Sequence, residues 1–167
     1  MNIKKKTILD IVEVLVIAFA IAFLLIKFVL IPCRVTGSSM HSTLEDGDFG
    51  YSFVCTRNSG ISRFDIVVVK TDDKLLVKRV IGLPNEKIEY KNNKLYINGE
   101  YLEEEFLSDD AITKDFTYEI GDNQYFCMGD NRYISKDSRY YGAFDVDRLV
   151  STHLFVVFPF GHFGYHN

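Results

Sequence analysis

The sequence lacks the closely spaced cysteine pairs on which tetrahedral zinc sites and thiol redox centres are built. Its three cysteines, Cys33, Cys55 and Cys127, stand far apart, so they read as small apolar residues. A disulfide, for instance Cys55 with Cys127, would require a compartment outside the cytosol and a geometry that sequence alone does not specify. An excess of charge is also absent. With 23 acidic against 19 basic residues and a net charge of −4, the chain has no broad cationic surface for nucleic acid. His153, His162 and His166 have no carboxylate or cysteine companion at ligand spacing, so no metal site and no cofactor are expected. There is no internal repeat, no low-complexity segment and no long flexible linker, and no long amphipathic helix follows residue 32. One compact domain with a short accessory segment accounts for 167 residues.

What the chain does have begins with its N-terminus. Lys4, Lys5 and Lys6 precede a run, residues 11–31, that is apolar except for Glu13 and Lys27 near its ends. A helix crossing the hydrocarbon core needs about 20 mostly apolar residues, and charges near its ends can snorkel to the headgroups. A cleaved signal peptide would have a shorter apolar region ending at small residues, whereas this one runs on through Phe28, Val29, Leu30 and Ile31 to Pro32. The expectation is a cytoplasmic N-terminus at residues 1–6, a single-pass anchor in the cell membrane at 7–31, and an extracytoplasmic domain at 32–167. The lysines ahead of the helix set that orientation, with Arg34 as a counter-signal.

Beyond the anchor, Phe49 to Cys55, Asp65 to Lys70, Leu75 to Ile81, Tyr125 to Met128 and Leu149 to Phe158 are rich in β-branched and aromatic residues and bounded by turn residues, which predicts strands. Asn98-Gly99 between Lys94–Ile97 and Glu100–Leu102 predicts a tight hairpin, because both turn positions require positive φ. The fold class is therefore mostly β, a compact and partly closed antiparallel sheet behind a transmembrane helix. The acidic stretch Glu103 to Glu105 with Asp109 and Asp110 reads as a solvated loop.

Three segments carry candidate chemistry. Val35-Thr36-Gly37-Ser38-Ser39-Met40-His41-Ser42 is a turn of small polar residues just past the anchor. Val77-Lys78-Arg79-Val80-Ile81-Gly82 places a lysine in an apolar strand, where desolvation would lower its pKa and make it a usable base. Gly129-Asp130-Asn131-Arg132 leads into Ser135, Asp137, Ser138 and Arg139. A serine hydroxyl, a neutral base and oxyanion donors are what acyl transfer requires. Strand alternation puts Lys78 on one face with Leu76 and Val80, and Arg79 on the other with Val77. Asp130 and Asn131 read as groups that stabilise a turn through backbone hydrogen bonds. His41 lies too near Ser39 along a tight turn to act as its base. The C-terminal Phe158, Phe160, Phe163 and Tyr165 read as packing for a strand end or a bilayer contact.

These ordered segments resemble the conserved boxes of the bacterial type I signal peptidases, from the anchor to the C-terminus. The resemblance implies a membrane-bound serine endopeptidase that cuts signal peptides from exported preproteins, with small residues before the cut. It implies Ser39 as nucleophile, Lys78 as general base through an acyl-enzyme, Ser135 as the hydroxyl that orients the lysine, and Asp137 with Arg139 as a supporting charged pair. Neither metal nor organic cofactor is implied, and the oligomeric state is left open. Three positions depart from the family pattern: Ser42 stands where proline is usual, Phe64 where glycine is usual, and Gly37 where some members have an oxyanion-binding serine. The oxyanion hole is then expected to rest on the Ser39 amide, with Ser38 as a further candidate. The alternative is a tethered β domain that assists surface-protein or pilus assembly without cutting. Self-cleaving peptidases resembling the LexA repressors carry a DNA-binding module where this chain has its anchor. Sortase-like, β-lactamase and Gly-x-Ser-x-Gly patterns are absent.

Overall fold

The computed structural model describes residues 3–54 and 60–166. In chain order the elements are α1 (Ile3–Val29), β1 (Leu30–Arg34), β2 (Phe49–Val54), β3 (Ile66–Lys70), β4 (Leu75–Gly82), β5 (Lys87–Lys91), β6 (Lys94–Ile97), β7 (Glu100–Leu102), β8 (Phe116–Glu119), β9 (Gln124–Met128), α2 (Ser138–Tyr141), β10 (Phe144–Asp145), β11 (Leu149–Phe158) and β12 (Gly164–His166). Cys55 falls outside the described residues, so its proposed pairing does too. Among the described residues neither Cys33 nor Cys127 is in a disulfide.

In α1 the stretch Thr7–Val29, 23 residues of mean hydropathy 2.8, has none of its surface buried. At 1.5 Å per residue it is long enough for a hydrocarbon core of about 30 Å. The helix stops at Val29, and Leu30 and Ile31 already pair with Phe53 and Ser52 of β2.

The strands form two antiparallel sheets. The larger runs β1-β2-β11-β3-β4-β9-β10, with β12 paired to β11, and it curls. The smaller runs β7-β6-β5-β8. Its β6–β7 turn places Asn98 and Gly99 at φ of 52° and 89°, the geometry that Asn-Gly predicts. Ile81, Ile88, Tyr90, Leu95, Ile120, Phe126 and Met128 fill the core that joins the two sheets. Gly82 permits the joint, since a Cβ there would strike Ile88 and Ile120.

A second core of Val35, Met40, Leu44, Ile66, Leu154 and Val156 lies under the segment that follows β1. It matters for function because Met40 and Leu44, both essentially inaccessible, anchor a helical turn closed by Thr43 and Leu44 amides on the Met40 carbonyl. Driving Met40 inward leaves Ser39 half-buried beside it and Ser38 exposed.

Strand β4 is buried along its second half on both faces. The expected face-to-face contrast between Lys78 and Arg79 is therefore absent: each is 2% exposed. Alternation still separates the two side chains, but both sides of β4 are covered.

Candidate active site

The turn after β1 and the middle of β4 meet at two atoms. Lys78 Nζ lies 2.7 Å from Ser39 Oγ and 2.7 Å from the Val77 carbonyl oxygen. As an ammonium it donates to both. As an amine it accepts the Ser39 O–H while still donating to Val77, which aims its lone pair at the hydroxyl. Burial lowers the Lys78 pKa to about 8, opposed by the negative charges of Asp137 and Asp130. Desolvation wins because neither carboxylate pairs with the lysine.

Each carboxylate has its own arginine. Asp130 is bound by Arg79 Nε at 3.0 Å and Nη2 at 2.9 Å, and accepts the Thr43 hydroxyl at 2.6 Å. Asp130 is thus half of a buried ion pair rather than the backbone-capping turn residue that the sequence suggested. The pair ties β4 to the turn that bears Ser39 and to the loop after β9. Asp137 accepts from the Gly129 amide and from Arg139 Nε and Nη2. Burial opposes its charge, yet the Arg139 hydrogen bonds and charge and the Gly129 amide hold it below the usual carboxylate range. Asp137 also caps α2. The expected Asp137–Arg139 pair is present in the geometry.

Gly129 is where the loop closes on the site. A Cβ there would run into Ser135 Oγ and the Ser39 carbonyl, and the neighbouring Asn131 amide donates to that same carbonyl. Ser135 is therefore beside Ser39, but its hydroxyl does not bond Lys78. Ser135 Oγ is buried without a hydrogen-bond partner, close enough to Asp137 to favour its charge without good hydrogen-bond geometry. Among the described residues the Ser39 amide meets no acceptor, as an oxyanion donor requires. The Gly37 amide is occupied by Asp46 Oδ1 at 2.7 Å.

His41 turns away to Glu45 at 2.9 Å. His162 and His153 have carboxylate neighbours in space, Asp48 at 2.9 Å and Asp65 at 3.6 Å. They are separated along the chain by more than any motif spans. No group of three potential metal ligands occurs among the described residues.

Sequence reasoning missed a second buried network. Arg132, with no exposed side chain, binds Glu104, the Tyr90 hydroxyl at 2.7 Å and Thr113 at 3.1 Å. Phe106 lies 4.1 Å from the Arg79 guanidinium. Glu104 is the exception in the solvated acidic loop: it turns inward, while Glu103, Glu105, Asp109 and Asp110 face water as expected. The arginine in the Gly-Asp-Asn-Arg segment was the one hint that a carboxylate was needed nearby.

A cleft of about 590 Å³ opens behind the site against Ser135, Ser138 and Arg139 and does not reach Ser39 or Lys78. The face that bears Ser39 and Lys78 is instead a strand edge. Among the described residues β9 pairs with β4 only from Arg79 to Gly82, so no strand pairs with Leu75 to Lys78 on that side, and the Val77 carbonyl there is met by Lys78 Nζ.

An antiparallel β-sheet endopeptidase, with a serine hydroxyl against a buried lysine, is the class of protein that this fold and site describe. The family described as signal peptidase, peptidase S26, matches residues 8–158. Signal peptidase I S of Bacillus subtilis is 39% identical over 94% of this chain and 92% of its own length. Signal peptidase IB of Staphylococcus aureus is 36% identical over 96% and 95%. The crystal structure of a signal peptidase I from Enterococcus faecalis is 33% identical, covers 56% of this chain and 97% of its own, and superposes with a TM-score of 0.50. The chain belongs to the signal peptidase family.

Proposed function

We propose that the chain is a membrane-anchored enzyme that removes N-terminal signal peptides from exported preproteins, with Ser39 as nucleophile and Lys78 as general base. The observation that carries this reading is the 2.7 Å contact between Ser39 Oγ and a lysine amine that burial brings to a pKa of about 8. The exported chain lies as an extended strand along the free edge of β4 at Leu75 to Val77, where backbone pairing aligns the scissile bond. Neutral Lys78 takes the Ser39 proton as Oγ attacks the carbonyl carbon, and the oxyanion forms against the Ser39 amide. Lys78 then gives that proton to the departing amine, leaving the signal peptide esterified to Ser39. It next takes a proton from water, whose oxygen attacks the ester; as the C–Oγ bond breaks, Lys78 returns that proton to Ser39 Oγ, and the signal peptide leaves with a free C-terminal carboxyl group.

Residues 7–29 serve as the anchor, with residues 1–6 cytoplasmic and the sheet domain that begins at Leu30 outside. The fully exposed apolar surface of Thr7–Val29 supports this, because such a helix is stable in lipid and not in water. Strand β1 follows α1 without a linker, holding the site near the bilayer where signal peptides emerge and raising their effective concentration.

The test is cleavage of a signal-peptide-bearing preprotein by the detergent-solubilised full chain. Ser39→Ala and Lys78→Ala should abolish cutting while Ser38→Ala, whose side chain is exposed, keeps it. Full activity in Ser39→Ala would remove the nucleophile assignment.

A further inference from the structure

We propose that His162 is a positioning residue for the nucleophile, fastening the turn that bears Ser39 through the buried carboxylate of Asp48. This rests on Ser39 being the nucleophile, and it adds to the site a segment that lies beyond the family match, which ends at residue 158.

Asp48 closes the loop that carries Ser39. Its carbonyl accepts the Val35 amide at 2.8 Å, its amide donates to the Glu45 carbonyl, and the Gly47 amide donates to Val35. Both ends of the loop are thereby sewn together around residues 35–48. The Asp48 carboxylate completes the closure and is itself 1% exposed. One oxygen accepts the Glu45 amide at 2.8 Å. The other faces His162 Nδ1 at 2.9 Å, so the imidazole donates from Nδ1. A buried carboxylate without partners is costly, and each of its oxygens here depends on one donor.

His162 is held from its own side. The His162 amide donates to the Pro159 carbonyl, closing the single turn Phe160–His162. Its carbonyl accepts His166 Nε2 at 3.0 Å. Beyond it β12 pairs with β11 through Leu154↔His166 and Val156↔Gly164, and Phe163 packs edge-on against Phe155 at 5.2 Å. Between this hairpin and Ser42, Thr43 and Glu45 lies a cleft of about 300 Å³. The His162–Asp48 contact therefore bridges a seam that apolar packing leaves open. Removing it frees a buried carboxylate oxygen in the loop that sets Ser39, and the hydroxyl drifts from Lys78. Displacements of about 1 Å at a reacting group cost on the order of 100-fold in rate.

The experiment measures steady-state cleavage of a preprotein by the detergent-solubilised full chain as wild type, Ser39→Ala, His162→Ala, His162→Asn and His162→Gln. His162→Ala should lose at least about tenfold in kcat with KM close to wild type, and its pH–rate midpoint should stay where Lys78 sets it. His162→Asn, which presents an N–H donor at the same branch, should recover most of the loss. His162→Gln, which moves the donor one bond outward, should not. Wild-type kcat in His162→Ala, or equal rates in the Asn and Gln variants, would overturn the assignment. If His162→Ala does not fold, the Asn and Gln pair alone decides. Activity in Ser39→Ala would instead strike the nucleophile reading, which separates the two failures.

Discussion

The pH dependence of cleavage tests the lysine base most directly. Lys78 is moved from an ordinary 10.5 to about 8, chiefly by burial. At pH 7 a lysine with that pKa is neutral about 9% of the time, against about 0.03% for an unperturbed one, so burial raises the free base about 300-fold. Between pH 7 and 9 the neutral fraction should rise about tenfold and then level off, whereas an unperturbed lysine would rise about 100-fold with no plateau in reach. The assay is initial cleavage rate at substrate well below KM from pH 6 to 10, which reports groups of the free enzyme. The local charges give a second handle, since exposed Lys74 lowers the Lys78 pKa. Lys74→Glu should therefore move the midpoint to higher pH. A rate already flat by pH 7, or a midpoint indifferent to Lys74→Glu, would refute the reasoning.

The lowered pKa also carries a stability cost. Between about pH 8 and 10.5 the unfolded chain binds more protons than the folded one, so stability should rise with pH through that window, and Lys78→Met should raise stability at pH 7 by up to about 3 kcal/mol in a chemical melt. Arg79→Met leaves the buried Asp130 carboxylate without its partner and should cost about 3 to 5 kcal/mol in the same measurement. Ser42 sits at φ 85°, which proline does not reach; restoring the family's proline with Ser42→Pro should destabilise by more than about 1 kcal/mol and reduce cleavage, whereas Ser42→Gly should keep both. Glu104→Gln weakens the buried pair with Arg132 and should lower the unfolding midpoint by about 1 to 3 kcal/mol equivalent, a loss that a truly solvated acidic loop would not show.

Much of the molecule is local and so was readable in the sequence. Apolar residues 11–31 foretell α1 because helix length and hydropathy depend only on neighbours. Asn98-Gly99 foretells its hairpin because positive φ belongs to the turn residues themselves. Ser39 and Lys78 were singled out because each stands in a short distinctive motif. The tertiary structure adds the physical reason that Ser39 and not Ser38 meets the lysine, the burial of Met40 in one core with Leu154 and Val156, and only it joins Thr43 to Asp130, Arg79 to Asp130, Glu104 to Arg132 and Asp48 to His162, across 87, 51, 28 and 114 residues. A charged side chain in sequence is equally consistent with water or with a partner. Which one it meets is decided by whether the fold removes it from solvent, and that depends on every strand at once.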